Sequence, residues 1–329
     1  MSALLDRRLI FVTGKGGVGK TTVAAALGLA AARAGRRVLV CEVADQERLT
    51  ATFGLPAAGF RELEIEPGLS AFSVNPQDAI SEWLRYQLHS RTLAGLLGGS
   101  RVFQYLAMAA PGLAEMVTVG KIWELAQLER KTPSAAPYDL VIVDAPATGH
   151  GIALLRAPRT FAEIARVGPI NRQAQIVDGF LRDPASTAVV AVTLAEEMPV
   201  SETLDLERRL HDELGLGLDR VYVNALLPDR LKEPEARAIE AVAADERAAD
   251  AAAGRGAERV DSSATPSPGA REALDAALAA HETVRAQRSQ LARLRRGLTA
   301  KATSLPHLLT HDVARDGLER LATKLERDL

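Results

Sequence analysis

Near the start of the chain, nine residues read Gly14-Lys15-Gly16-Gly17-Val18-Gly19-Lys20-Thr21-Thr22. They carry the spacing G-x-x-x-x-G-K-[ST]. Glycines at such intervals let successive backbone N–H groups turn toward one point and cradle phosphate oxygens. Lys20 is placed to reach the β- and γ-phosphates, and the Thr21 hydroxyl to ligate Mg²⁺. The loop lies between an apolar run (Leu9 to Val12) and an alanine-rich helical stretch (Val23 to Ala34). That is the strand–loop–helix setting in which a helix start adds positive potential to the phosphate site. The expected ligands are ATP and Mg²⁺, with Gly14, Gly16, Gly17, Val18, Gly19, Lys20, Thr21 and Thr22 contacting the nucleotide.

A second segment, Tyr138-Asp-Leu-Val-Ile-Val-Asp144-Ala-Pro-Ala-Thr-Gly-His150, delivers a carboxylate from the end of an apolar strand. Asp144 is the expected partner of Thr21 in holding Mg²⁺, directly or through water. Residues Ala145 to His150 read as a switch loop sensitive to the γ-phosphate. Asn224 ends another apolar run, Val221-Tyr-Val-Asn224, and its side-chain amide can both donate and accept hydrogen bonds.

These motifs resemble a known family. Lys15, just after the first glycine, is similar to the extra lysine of the deviant Walker A ATPases. That group includes the Min, Par, nitrogenase-iron-protein and arsenical-pump families. The resemblance implies a dimer in which Lys15 touches nucleotide bound by the other subunit. Asp144-Ala-Pro-Ala-Thr-Gly-His150 resembles the Asp-x-x-Pro-Thr-Gly-His of the arsenical-pump and tail-anchored-protein-targeting ATPases, with alanine replacing the proline. Ala110 to Met116, Val119 to Leu125, Val167 to Arg172 and Leu194 to Pro199 look like the bacterial anion-transporting relatives. The likeness runs from Leu9 to about Leu321. It implies that Asn224 and the loop around Pro306 border adenine.

Departures from the family pattern are equally informative. The family's first switch begins with an aspartate that positions the attacking water, and Ala44 falls at that place, with Asp45 next. Either Asp45 acts in its stead, alongside Lys15 and Lys20, or the chain binds ATP and hydrolyses it poorly. Cys41 is the only cysteine. This excludes an intrachain disulfide and a multi-cysteine zinc site within one chain, and it leaves thiolate binding of metalloid unsupported.

The 329 residues are 47% hydrophobic with a formal net charge of -2. A large core is available, and nothing suggests a nucleic-acid partner. No apolar run is long enough to span a bilayer, and a cytoplasmic protein is expected. Strands are expected at Leu9–Val12, Val38–Glu42, Ala71–Val74, Leu140–Asp144, Val189–Leu194 and Val221–Asn224, with a short one near Ala302–Leu305. Helical stretches between them predict an α/β fold, a mostly parallel sheet covered on both faces. The chain reads as one domain, 1–329, with a helical insertion at 76–131 and a helical segment at 233–298. The insertion is rich in Leu, Met and Phe, which suits a hydrophobic client as well as ordinary packing. The arginines from Arg285 to Arg296 read as a solvated helix end or as a patch for an anionic partner. Leu318, Leu321 and Leu325 lie on one side of a final helix.

Three functions are consistent with this sequence. One is a dimeric Mg²⁺-ATPase whose nucleotide state controls a client- or partner-binding helical region. Another is a hydrolysis-impaired nucleotide subunit paired with a homologous ATPase. The third is a positioning ATPase of the Min or Par type.

Overall fold

A computed structural model describes residues 4–43, 48–87, 112–131, 135–165, 167–253, 268–308 and 315–327. The strands are β1 (Leu9–Thr13), β2 (Val38–Val43), β3 (Leu63–Glu66), β4 (Leu69–Val74), β5 (Leu140–Asp144), β6 (Thr187–Leu194), β7 (Arg220–Leu226) and β8 (Lys301–Pro306). They form one sheet in the order β3-β4-β2-β5-β1-β6-β7-β8. Every described pairing is parallel except β3 with β4. That exception is a strand the hydrophobic pattern did not reveal. Leu63-Glu-Ile-Glu66 is short and half charged, as suits a sheet edge. Only Pro67 and Gly68 separate it from β4, and so short a connection permits an antiparallel return alone.

The helices are α1 (Lys20–Arg33), α2 (Arg48–Thr52), α3 (Pro76–Gln87), α4 (Leu113–Leu125), α5 (Thr148–Ala165), α6 (Pro169–Arg182), α7 (Glu197–Arg209), α8 (Glu233–Ala253), α9 (Pro268–Gly297) and α10 (Arg315–Leu325). The sheet's central strands are buried on both faces, so they read as continuous apolar runs rather than alternating ones. One face packs Ile10, Val12, Val40 and Ile142 against α1 and α10. The other packs Phe11, Leu39, Val141 and Val143 against the side chains of α4, α5 and α7. Leu318, Leu321 and Leu325 of α10 are completely buried in the first layer. Their spacing places all three on one helix face, so this helix has no free apolar face to offer a bilayer. Among the described residues, no helix is long and apolar enough to cross a membrane.

Of the segment from 76 to 131, α3 and α4 are described. Leu93, Leu96, Leu97, Phe103, Tyr105, Leu106 and Met108 lie outside the described residues, as do residues 254–267. Arg288 pairs with Asp229, and Arg293 donates to the Ser201 hydroxyl. These two arginines of α9 are thus engaged within the chain.

The Val119–Leu125 stretch of α4 houses a buried charge network. Lys121 Nζ is 2.9 Å from Glu82 and 3.0 Å from Glu124, and it sits over the Phe60 and Phe72 rings. Glu124 also accepts from Arg130 and from the Lys131 backbone N–H. Arg130 in turn reaches Glu62, which accepts from the Tyr138 hydroxyl at 2.7 Å. Burial works against both charges, but the partners outweigh it: Lys121 is held above its ordinary range and Glu124 below. A depressed carboxylate contributes stability above its unfolded value, about 4.3, and loses that contribution as pH falls through the folded value. Glu124→Gln leaves Arg130 under-compensated while Lys121 keeps Glu82. The expected loss at pH 7 is about 3 kcal/mol. Urea unfolding at pH 7 and pH 3.5 should show the gap between variant and wild type narrowing on acidification. An unchanged gap would refute the network's role.

Candidate functional site

β1 ends at Thr13, and α1 begins at Lys20. The six residues between must turn sharply, and two glycines make the turn possible. Gly14 adopts φ +143°, and a Cβ there would lie 2.1 Å from the Val192 carbonyl oxygen of β6. Gly19 adopts φ +92°, and its Cβ would lie 2.4 Å from the Asn224 amide nitrogen. Both positions therefore exclude any side chain on two counts, backbone conformation and space. Gly16 and Gly17 have nothing within 4 Å of the corresponding point. Their open side borders a cleft of about 750 Å³ lined by Gly16, Gly17, Gly19, Lys20, Thr21 and Thr22 on one side. Glu42, Arg48, Asp144 and Pro146 are among the residues lining the rest of it.

Register brings the second half of the site to the loop. Asp144 lies opposite Val12 of β1 and opposite Glu42 of β2. All three strands end at the same level, the carboxyl edge where ligands of such sheets bind. The Thr21 hydroxyl donates to Asp144 Oδ2 at 2.5 Å. Among the described residues Asp144 Oδ1 is buried without a hydrogen-bond partner, as is the Thr13 hydroxyl. Burial pushes the Asp144 carboxyl above its ordinary range, while the Thr21 bond, Lys20 and Arg48 pull it back only in part. Burial likewise holds the Lys20 ammonium low against the pull of Asp144. Lys20 donates to the Lys15 carbonyl oxygen at 3.1 Å. A buried carboxylate with a free lone pair, beside a hydroxyl and an ammonium, fits a divalent cation accompanied by phosphate. Among the described residues no His, Cys, Asp and Glu cluster could hold a metal by itself. The donor set suits a metal that arrives with its nucleotide. Cys41 is fully buried in β2, and burial pushes its thiol upward.

The other expected residues fall as follows. Lys15 is folded back onto the chain, its Nζ 2.6 Å from Glu202 Oε1 on α7. Asn224 donates from Nδ2 to the Val18 carbonyl oxygen at 3.0 Å, which ties β7 to the phosphate loop. The next residue, Ala225, has φ +55°, and the β7–β8 register shifts there. This bulge turns the strand end toward the loop. Pro306 is exposed at the end of β8, opposite Leu226. The expected six-residue switch loop is shorter than the sequence suggested. α5 begins at Thr148, so only Ala145 to Ala147 are irregular and His150 lies exposed in the helix's first turn. The Thr148 N–H donates to the Gly14 carbonyl oxygen, which makes the helix start part of the site. Ala44 and Asp45 lie outside the described residues.

Three residues of this region escaped the sequence reading. Glu42 and Arg48 line the cleft from either side of the first-switch segment; a charged residue ending a buried strand was the available signal for Glu42. Glu202 is 187 residues from Lys15 and follows no motif. Only the packing of α7 beside the loop reveals it.

The sequence profile of the anion-transporting ATPases matches residues 7–175 and 165–249. ATPase BagA of Mycobacterium tuberculosis is 35% identical over 242 residues, which cover 71% of this chain and 69% of that protein. The arsenical pump-driving ATPase of Acidiphilium multivorum is 28% identical over 248 residues, 70% of this chain and 41% of that one. ATPase GET3 of Chaetomium globosum is 29% identical over 189 residues, 55% and 53% of the respective chains. With that profile matching well over half of its length and a relative 35% identical over 71% of it, the chain belongs to the anion-transporting ATPase family.

Proposed function

We propose that the chain is a Mg²⁺-dependent ATPase that works as a dimer, converting ATP and water to ADP and phosphate. One observation carries this reading: the Thr21 hydroxyl bonded at 2.5 Å to a buried Asp144 whose second oxygen has no partner. Bound ATP and Mg²⁺ supply the transferable phosphoryl group and the neutralising charge. Backbone N–H groups of Gly14 to Thr22 hold the phosphates, Lys20 stabilises charge on the transferred group, and Thr21 with Asp144 holds the metal. Asn224 steadies the loop through Val18 and, with Pro306, borders the adenine end.

Lys15 acts across the dimer. To do so it must leave Glu202, and the magnitude permits this. The two side chains are 30% and 39% exposed, a setting in which an ion pair contributes only about 0.2–1 kcal/mol. A multiply charged phosphate competes easily with that. The nucleotide state then passes through the Asp144–Ala147 turn into α5 and onto α4, which packs on it. Between α3, α4 and α5, Trp83, Leu113, Met116, Val117 and Phe161 line a cavity of about 110 Å³. Glu82, Lys121 and Glu124 of the charge network line it too, and the apolar part of the lining supports a hydrophobic client on the helical region. A second reading, a hydrolysis-impaired subunit paired with a homologous ATPase, is favoured by Ala44 at the water-positioning place. Purification of the tagged chain from its own cells separates the two: a self-dimer with full turnover removes the second reading.

Phosphate release by the purified chain should require Mg²⁺. It should fall at least about a hundredfold in Lys20→Ala and about a thousandfold in Lys15→Ala, the latter with nucleotide still bound. Unchanged turnover in Lys20→Ala would overturn the ATPase reading, and a monomeric, fully active Lys15→Ala would overturn the dimer. Asp144→Asn replaces a disfavoured buried charge, so the nucleotide-free protein should melt no earlier than wild type. The Mg²⁺-dependent increase in ATP affinity should vanish in the same variant. Retention of that increase would remove Asp144 from the metal site.

A further inference from the structure

Arg48 opens α2 and lines the phosphate cleft from the side opposite the glycine-rich loop. Its backbone is fixed from several directions. The N–H donates to Glu42 Oε1 at 2.8 Å, and the carbonyl oxygen accepts from the Thr52 hydroxyl at 2.8 Å. Leu49 and Thr50, the next two residues, are each 1% exposed. The side chain is free by contrast: among the described residues the guanidinium has no hydrogen bond or ion pair, and the residue is exposed. Its charge nonetheless acts on the two central groups of the site. It favours the Asp144 carboxylate and disfavours the Lys20 ammonium. A cation that raises its neighbour's burden without a partner of its own is poorly placed for stability. It is well placed for an anion that has yet to arrive.

That anion must be strongly charged, because Lys20 already faces Asp144 across the cleft. A planar fork of five donors suits phosphate oxygens, and a lysine at the same position would offer a single point charge. Arg48 and Asp144 line the same cleft as Lys20 and Thr21, and the Thr21 hydroxyl donates to Asp144. This is the terminal-phosphate end of the site in the reading given above, on which the inference rests. We propose that Arg48 is a cis-acting ligand of the terminal phosphate of a bound nucleoside triphosphate, so that it discriminates triphosphate from diphosphate. Its fixed backbone means that little ordering is needed on binding beyond the side chain itself.

The test is equilibrium titration of the full chain with fluorescent ATPγS and ADP analogues in Mg²⁺ buffer. Wild type, Arg48→Ala and Arg48→Lys are compared at two salt concentrations. Truncation keeps the N–H that Glu42 holds, and matching melting temperatures of the three proteins check that α2 is intact. Arg48→Ala should lose at least about tenfold in affinity for the triphosphate and less than threefold for the diphosphate, with Arg48→Lys between. The salt dependence of triphosphate binding should also weaken in Arg48→Ala. Equal loss for both nucleotides, or no loss for either, overturns the proposal while leaving the nucleotide site standing. A wild-type chain that binds neither nucleotide overturns the nucleotide reading itself.

Discussion

The constraint on which the rest of the structure depends is the burial of one carboxylate. Asp144 sits at the end of a strand buried on both faces, and its surroundings push it toward the neutral form. The fold offsets this in part by bringing unlike partners from distant parts of the chain. Lys20 and Thr21 come from the first turn of α1, and Arg48 from beyond β2. The parallel register of β1, β2 and β5 is what makes these meet, since Val12, Glu42 and Asp144 share one level. A slip of one residue would send Asp144 to the opposite face of the sheet. The apolar layers on both faces thus fix more than stability, because they lock the register that assembles the site.

The compensation is incomplete in the protein alone. One oxygen of Asp144 and the Thr13 hydroxyl are buried without partners among the described residues, and buried polar groups are ordinarily satisfied. Around the same cleft stand a guanidinium with no hydrogen bond or ion pair among the described residues and an ammonium lowered by burial. Excess positive and excess negative groups lie side by side without neutralising one another. A metal paired with a polyphosphate satisfies both sets at once, and neither ion alone would do so.

What could be read ahead of the structure was local. The phosphate loop declares itself in nine consecutive residues, because φ-positive glycines must fall at set positions between a strand and a helix. Asp144 could be placed because a run of four apolar residues, Leu140 to Val143, fixes where a parallel strand ends. β3 could not, since Leu63-Glu-Ile-Glu66 is short and its order depends on the turn at Pro67-Gly68. The helix start at Thr148 was masked by a Pro-Ala-Thr-Gly sequence that reads as loop. Its first turn is held by the Thr148 N–H donating to the Gly14 carbonyl oxygen, a partner supplied by the phosphate loop. The contacts of Glu202 with Lys15 and of Asn224 with Val18 span 187 and 206 residues. No spacing rule reaches that far.

Two lysines show how exposure sorts charges by purpose. Lys15 lies 2.6 Å from Glu202, while Lys121 lies 2.9 Å and 3.0 Å from its two carboxylates. Distance alone would rank the Lys15 pair as the stronger. Exposure reverses the order, because Lys121 and Glu124 are 7% and 6% exposed and Lys15 and Glu202 are 30% and 39%. Solvent screens the second pair, and its members regain hydration when they part. The first pair has no such route, since separating it strands a charge in an apolar interior. The fold therefore clamps α4 with a charge network that opens only on unfolding. At the phosphate loop it leaves a lysine held by a contact weak enough to exchange for a ligand.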